Sequence, residues 1–276
     1  MEQSLNASIG KGNIALNSSG EAILTARNIS VGFNGKLVLD GLSMDVRRGE
    51  ILGFVGASGS GKSVLLRTIL GLNSKQSGVI TLFGKDIDRL TDAQKITLDM
   101  RIGVLFQHGA LFSALTVAEN IMVPMREYLD LSSALMRELA MLKISLVGLP
   151  PDAAGKYPSE LSGGMIKRAA LARALALDPA IVFLDEPTSG LDPIGAAAFD
   201  ELISNMRDTL GLTVYMVTHD LDSLFSVCDR IAVLGDKKVI LEGTISDMLA
   251  SELPWVKLYF RGPRARLAAG AKTVRS

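Results

Sequence analysis

Cysteine is all but missing from the 276 residues: Cys228 stands alone, and a lone thiol makes no internal disulfide. A disulfide-stapled secreted scaffold is therefore excluded, and a reducing cytosol is the expected home. Net charge is missing too, with 29 Lys and Arg against 29 Asp and Glu and an isoelectric point near 6.8. That balance excludes a protein that holds DNA or RNA through a broad basic surface, so no nucleic-acid partner is expected. Long apolar runs are absent. The longest stretch without an acid or a base, residues 102–118, is 17 residues and includes Gln107, His108, Ser113 and Thr116. A membrane-spanning helix needs about 20 mostly apolar residues. Residues 1–21 lack the basic start and apolar centre of a secretion signal. Rich in Ser, Asn and Gly, they read as a flexible N-terminal tail.

What is present is an apolar, regularly patterned chain. Apolar residues make up 48% and charged residues only 21%, with mean hydropathy +0.31. This balance fits a surface partly covered by partners, and equally an interior rich in Leu and Ala. From Ala22 the pattern is strand-like: Leu42, Met44 and Val46 alternate, and 50–55 is a short apolar run. An apolar helical segment is expected over 64–72 and strands over 79–83 and 102–106. Thr91 with Gln94, and Thr116 with Glu119, have the spacing of helix-starting capping boxes. Between about 108 and 161 the strand signals stop. There Leu135, Leu139, Leu142 and Leu146 form one stripe of an amphipathic helix. The stripe reads as the buried core of a helical insertion, with a partner-facing groove as the alternative. Strand–helix alternation resumes with helices near 163–177 and 194–210, strands at 181–184 and 212–217, and a hairpin around 235–238. Such alternation builds a mostly parallel sheet covered by helices.

Three short runs carry chemistry. Gly56-Ala57-Ser58-Gly59-Ser60-Gly61-Lys62-Ser63 fits the phosphate-binding loop pattern, followed by Val64 inside a helix. Glycines let backbone N–H groups converge on phosphate oxygens, Lys62 adds a positive charge, and the Ser63 hydroxyl is a Mg²⁺ ligand. The apolar run 180–184 ends in Asp185 and Glu186. An acid at a strand end suits a Mg²⁺ site, and Glu186 has the chemistry to deprotonate an attacking water. By itself a strand ending in two acids is commonplace; beside a phosphate loop it gains weight. Leu161-Ser162-Gly163-Gly164-Met165 precedes a long helix and would by itself be an ordinary N-cap.

Together these runs resemble the ATP-binding cassette (ABC) ATPases. Six elements stand in that family's order: the phosphate loop, Gln107, the 161–165 signature, Asp185-Glu186, Ser189-Gly190-Leu191-Asp192, and His219. The resemblance implies an α/β fold: a P-loop NTPase (RecA-like) core with an antiparallel β subdomain and an inserted helical subdomain at about 108–166. It places the ATPase domain at 22–250 and a basic, aromatic C-terminal extension at 251–276. It implies ATP and Mg²⁺ as cofactors, Phe33 stacked on adenine, and 56–64 around the phosphates. Ser63, Gln107 and Asp185 are implied as the Mg²⁺ ligands, and Glu186, Gln107 and His219 as the hydrolytic set. Two cassettes pair head to tail in this family, so Ser162, Gly163 and Gly164 would cap the ATP of a second copy and Asp192 would lie at their interface. The family signature usually ends in Gln; Met165 here puts a side-chain contact from that position in doubt, though not the backbone contacts.

Finer features resemble the ATPases of the bacterial Mla and Mce phospholipid transporters. They are 107–112 (Gln-His-Gly-Ala-Leu-Phe), 117–120, 124–127, the run 162–174, and Asp192-Pro193-Ile194. This implies a multi-span membrane permease, a periplasmic MCE lipid-binding protein and a cytosolic STAS-domain protein as partners, at the cytoplasmic face of the bacterial inner membrane. The implied cargo is phospholipid moving between inner and outer membranes. An importer of an amino acid or osmolyte is the alternative. The segment 254–276 carries Lys257, Arg261, Arg264, Arg266, Lys272 and Arg275 and no acid. It reads as a solvated tail, a lipid-headgroup contact or a contact with the neighbouring cassette, and Trp255, Leu258, Tyr259 and Phe260 favour a docked stretch.

Overall fold

The computed structural model describes residues 20–262. Most of the 1–21 tail, and Arg264, Arg266, Lys272 and Arg275 of the extension, lie outside the described residues. In chain order the elements are β1 (Ala22–Phe33), β2 (Lys36–Arg47), β3 (Ile51–Gly56), α1 (Lys62–Ile69), β4 (Ser77–Leu82), β5 (Lys85–Asp86), α2 (Asp92–Asp99) and β6 (Ile102–Leu105). Then come α3 (Val117–Tyr128), α4 (Ser133–Leu146), α5 (Gly163–Ala174), β7 (Ile181–Asp185), α6 (Pro193–Leu210), β8 (Thr213–Val217) and α7 (Leu221–Ser226). The chain continues with β9 (Arg230–Gly235), β10 (Lys238–Gly243), α8 (Ile245–Ala250) and α9 (Pro254–Arg261). No helix among the described residues is long and apolar enough to cross a membrane.

Two sheets result. One is antiparallel, with order β2-β1-β4-β5; the other has order β10-β9-β3-β8-β7-β6. In the second, β9, β3, β8, β7 and β6 run parallel and β10 returns antiparallel as a hairpin. Strands β3, β7 and β8 are buried at every residue, as parallel strands covered on both faces must be. One apolar cluster fills the side of the sheet carrying α3–α6, and a second joins the two sheets through Leu24, Val46, Phe54 and Tyr215. The sheets are also joined by charge. Arg230 at the start of β9 donates to Glu50 (2.8 Å), to the Asp45 carbonyl on β2 (2.7 Å) and to Glu242 on β10. Both predicted capping boxes are present, at Thr91/Gln94 and Thr116/Glu119.

The leucine stripe is a correction. In α4 the buried face is Met136, Ala140, Lys143 and Ile144, while Leu135, Leu142 and Leu146 are exposed, Leu142 by 64%. Periodicity finds a helix but not its phase. Here α3 and α5 pack against the Met–Ala–Ile face, and Lys143 is admitted because its ammonium reaches Asp178 at 2.5 Å. The aromatic end is docked, with Val256 and Phe260 of α9 buried, yet Leu258 points outward.

Between α6 and α7 sits a buried acid. Asp200 accepts a hydrogen bond from the Ser223 hydroxyl at 2.7 Å, and its second oxygen has no partner among the described groups. Burial raises its carboxyl to about 7. Below the ordinary carboxylate range both folded and unfolded chains hold the proton; above it only the folded chain does, until pH passes about 7. Its stabilising contribution is thus lost as pH rises through that window. Asp200→Asn is expected to raise Tm at pH 8 by about 4–8 °C, on the order of 2 kcal/mol, with little change near pH 4, where both states hold the proton. Paired thermal melts at the two pH values check this.

Candidate nucleotide-binding site

The predicted site residues gather because neighbouring parallel strands end on one edge. Gly56 closes β3, Asp185 closes β7, Gln107 lies two residues past β6, and His219 two residues past β8. These strands are adjacent in the order β3-β8-β7-β6. The carboxyl edge of such a sheet is where α/β proteins bind ligands.

At the first strand end the phosphate loop turns into α1. Two of its glycines are required by space. A Cβ on Gly56 would lie 2.7 Å from the Leu234 carbonyl oxygen, and one on Gly61, at φ 111°, would lie 2.8 Å from Val38. Gly61 caps α1 with no side-chain hydrogen bond, and no acid sits in the first turn. The helix therefore presents its positive end to an anion. Lys62 Nζ donates to the carbonyls of Gly56 (2.8 Å) and Ala57 (3.1 Å), and the buried Ser60 hydroxyl has no partner among the described groups. Phe33, 47% exposed, stands at the turn Asn34-Gly35, whose two positive φ values are those of a tight hairpin.

Facing the loop are the two acids. Asp185 is buried, and its Oδ1 accepts from the Ser63 hydroxyl at 3.5 Å. Burial and the adjacent Glu186 hold its carboxyl above the usual range. Glu186 has φ 50°, a left-handed conformation rare for a side chain of this size. Its N–H is tied to the Val217 carbonyl at 2.8 Å, which holds the turn open to the strand edge. Its Oε2 lies 2.7 Å from His219 Nδ1. A carboxylate next to an imidazole and beside a phosphate loop can orient and deprotonate a water.

The 161–165 run is elsewhere. Ser162 caps α5, accepting from Met165 N–H at 3.3 Å. A cleft of about 480 Å³ is lined there by Ser162, Gly163, Gly164, Leu191, Asp192 and neighbours, and by no residue of the phosphate loop. Asp192 caps α6, accepting from the N–H groups of Ile194 (3.0 Å) and Gly195 (2.9 Å).

These features match known proteins. The model of the ABC transporter family matches residues 39–189. The chain belongs to the ABC transporter family. Its relatives include the intermembrane phospholipid transport system ATP-binding protein MlaF of Haemophilus influenzae, 38% identical over 87% of this chain and 90% of that one. The methionine import ATP-binding protein MetN of Rhizobium johnstonii is 39% identical over 85% of this chain but 64% of its own length. Among solved structures, the dimeric post-hydrolysis state of the ATP-binding cassette MJ0796 bound to ADP and Pi covers 80% of this chain and 98% of that one. It does so at TM-score 0.72 and 29% identity. This ABC chain is an ATP-binding, ATP-hydrolysing transporter subunit.

Sequence reading missed the group that holds the site together. Lys167, buried inside α5, donates to the carbonyls of Gln107 and Glu186 (3.0 Å) and lies 3.4 Å from the Ser189 hydroxyl. Burial pushes the Lys62 and Lys167 ammonium groups down from the ordinary lysine range, against the opposing pull of Glu186 and Asp185. Arg173, one helical face further on, donates to Gly109 (2.9 Å) and Ala110 (2.7 Å), and the Asn120 amide closes 112–116. A lysine three residues past a Gly-Gly signals none of this; only its burial does. Lys167→Met leaves buried carbonyls unpaired, a cost of about 1–3 kcal/mol. It is expected to lower Tm by roughly 2–10 °C and ATP turnover at least about tenfold, read by melting and phosphate release.

Proposed function

We propose that this ABC ATPase powers phospholipid trafficking between the inner and outer membranes of a bacterium, acting at the cytoplasmic face of the inner membrane. The observation that carries the reading is the match to MlaF along nearly the whole of both chains. The run Gln107–Phe112 and the 162–174 helix entry support it. A small-solute importer is the second reading, favoured by the MetN relatives, whose length this chain spans less fully.

In this reading residues 22–250 form the ATPase unit and 251–276 an extension. Phe33 stacks on adenine, and 56–64 cradle the phosphates. Glu186 takes a proton from the water that attacks the γ-phosphorus, while ADP leaves. His219 holds the Glu186 carboxylate and contacts the γ-phosphate. Ser63 and Asp185 present hard oxygens 3.5 Å apart, a donor set that suits Mg²⁺. Gln107 lies at the neighbouring strand end. Bound Mg²⁺ would neutralise charge on the phosphate oxygens. Because the signature cleft holds no phosphate-loop residue, Ser162, Gly163 and Gly164 act on the nucleotide of a second copy, with Asp192 at that junction. The further partners are a multi-span permease, a periplasmic MCE lipid-binding protein and a cytosolic STAS-domain protein.

Glu186→Gln is expected to keep ATP binding and lose turnover by about a hundredfold or more. Full turnover overturns the base assignment. The tagged variant, purified from solubilised membranes with ATP and Mg²⁺, is expected to bring a permease, an MCE-domain protein and phospholipid. A periplasmic small-solute receptor in their place overturns the lipid cargo.

A further inference from the structure

The last described helix reaches the hydrolytic pair. Pro254 starts α9, and Val256 and Phe260, four residues apart, are buried against Leu224, Phe225, Val233 and Met248. The Phe260 and Phe225 ring centroids are 6.4 Å apart. That seating fixes the rotation of the helix. Tyr259 is then directed sideways, its ring stacked on Trp255 at 4.7 Å and 12° and in edge contact with Phe260 at 5.0 Å. Its hydroxyl donates to the main-chain carbonyl of His219 at 2.8 Å. Burial, with the Glu186 and Asp220 carboxylates nearby, pushes the phenol pKa up, so it remains a donor.

His219 sits in the short link between β8 and α7. Its neighbours are pinned: Thr218 N–H donates to the Phe54 carbonyl (3.3 Å), Asp220 N–H to Thr218 Oγ1 (3.0 Å), and Thr188 Oγ1 to Asp220 (3.2 Å). The imidazole itself is 69% exposed, so packing does not set its direction. The Glu186 carboxylate lies 2.7 Å from the ring, and Tyr259 holds the carbonyl. The orientation of that peptide sets where Cβ, and hence the ring, points.

We propose that Tyr259 is a positioning residue for ATP hydrolysis: from the C-terminal helix, braced by Trp255, it fixes the main chain of His219 so that the imidazole meets Glu186. The inference rests on reading Glu186 and His219 as the hydrolytic pair. It makes α9 a lever on turnover, since displacing the helix releases the His219 carbonyl.

The test is Tyr259→Phe in the full chain, which keeps the ring and removes the donor. Expected are a kcat lower by about threefold to tenfold, the loss of one hydrogen bond, with KM for ATP within about twofold and Tm nearly unchanged. In the His219→Ala background the same change is expected to cost no further turnover. The chain has two histidines, so the imidazole signals of ¹⁵N-histidine-labelled protein are assigned by one His108→Gln control. Tyr259→Phe is expected to shift or broaden the His219 signal and spare that of His108. Unchanged kcat overturns the inference, as does an equal loss in both backgrounds. Full turnover in His219→Ala overturns the reading of the pair and the inference with it. Loss there with none in Tyr259→Phe overturns the inference alone.

Discussion

Parallel pairing of β3, β8, β7 and β6 is the constraint on which the site depends. Parallel strands need crossovers, so each strand end is followed by a loop on the same edge of the sheet. Four loops, starting at Gly56, Val217, Asp185 and Leu105, are thereby brought side by side from segments some 160 residues apart in sequence. The strands are largely apolar because both faces are covered, one by α3–α6 and the other by α1 and the antiparallel sheet. The chemistry is confined to the edge, where the apolar runs stop.

An edge of loops would be loose without ties, and the ties here are mostly cations donating to carbonyl oxygens. Lys167 spans from Gln107 to Glu186, and Arg173 holds Gly109 and Ala110. Each offers several donors, so one side chain satisfies acceptors on different segments. Lys167 also sets the spacing between the Gln107 loop and the acid pair. A shift of α5, which carries the signature serine and glycines at its N-terminus, moves both. The helix that carries the signature residues and the strand edge are thus tied by hydrogen bonds within one chain.

The strained turn at Glu186 fits the same logic. A left-handed glutamate is held by its N–H bond to β8 and its carbonyl bond to Lys167, with its carboxylate beside His219. A conformation of that kind persists where its surroundings over-determine it, and such places cluster at working sites.

Much was legible from the residues alone. The phosphate loop, the acid pair and the capping boxes are local patterns, since the chemistry of a phosphate cradle or a helix start is fulfilled within a few residues of backbone. The alternation of strands and helices follows from local periodicity and marks the core as parallel α/β. Tertiary structure decided what depends on neighbours distant in sequence. It chose which face of α4 is buried, turning Leu142 outward in favour of Met136 and Ile144, because α3 and α5 supply the opposing surface. It drew Lys167 inward to three distant acceptors and placed the Tyr259 hydroxyl on His219. A side chain's period is written in its own segment, but its partner is set by how separate segments pack, and packing is a property of the whole chain.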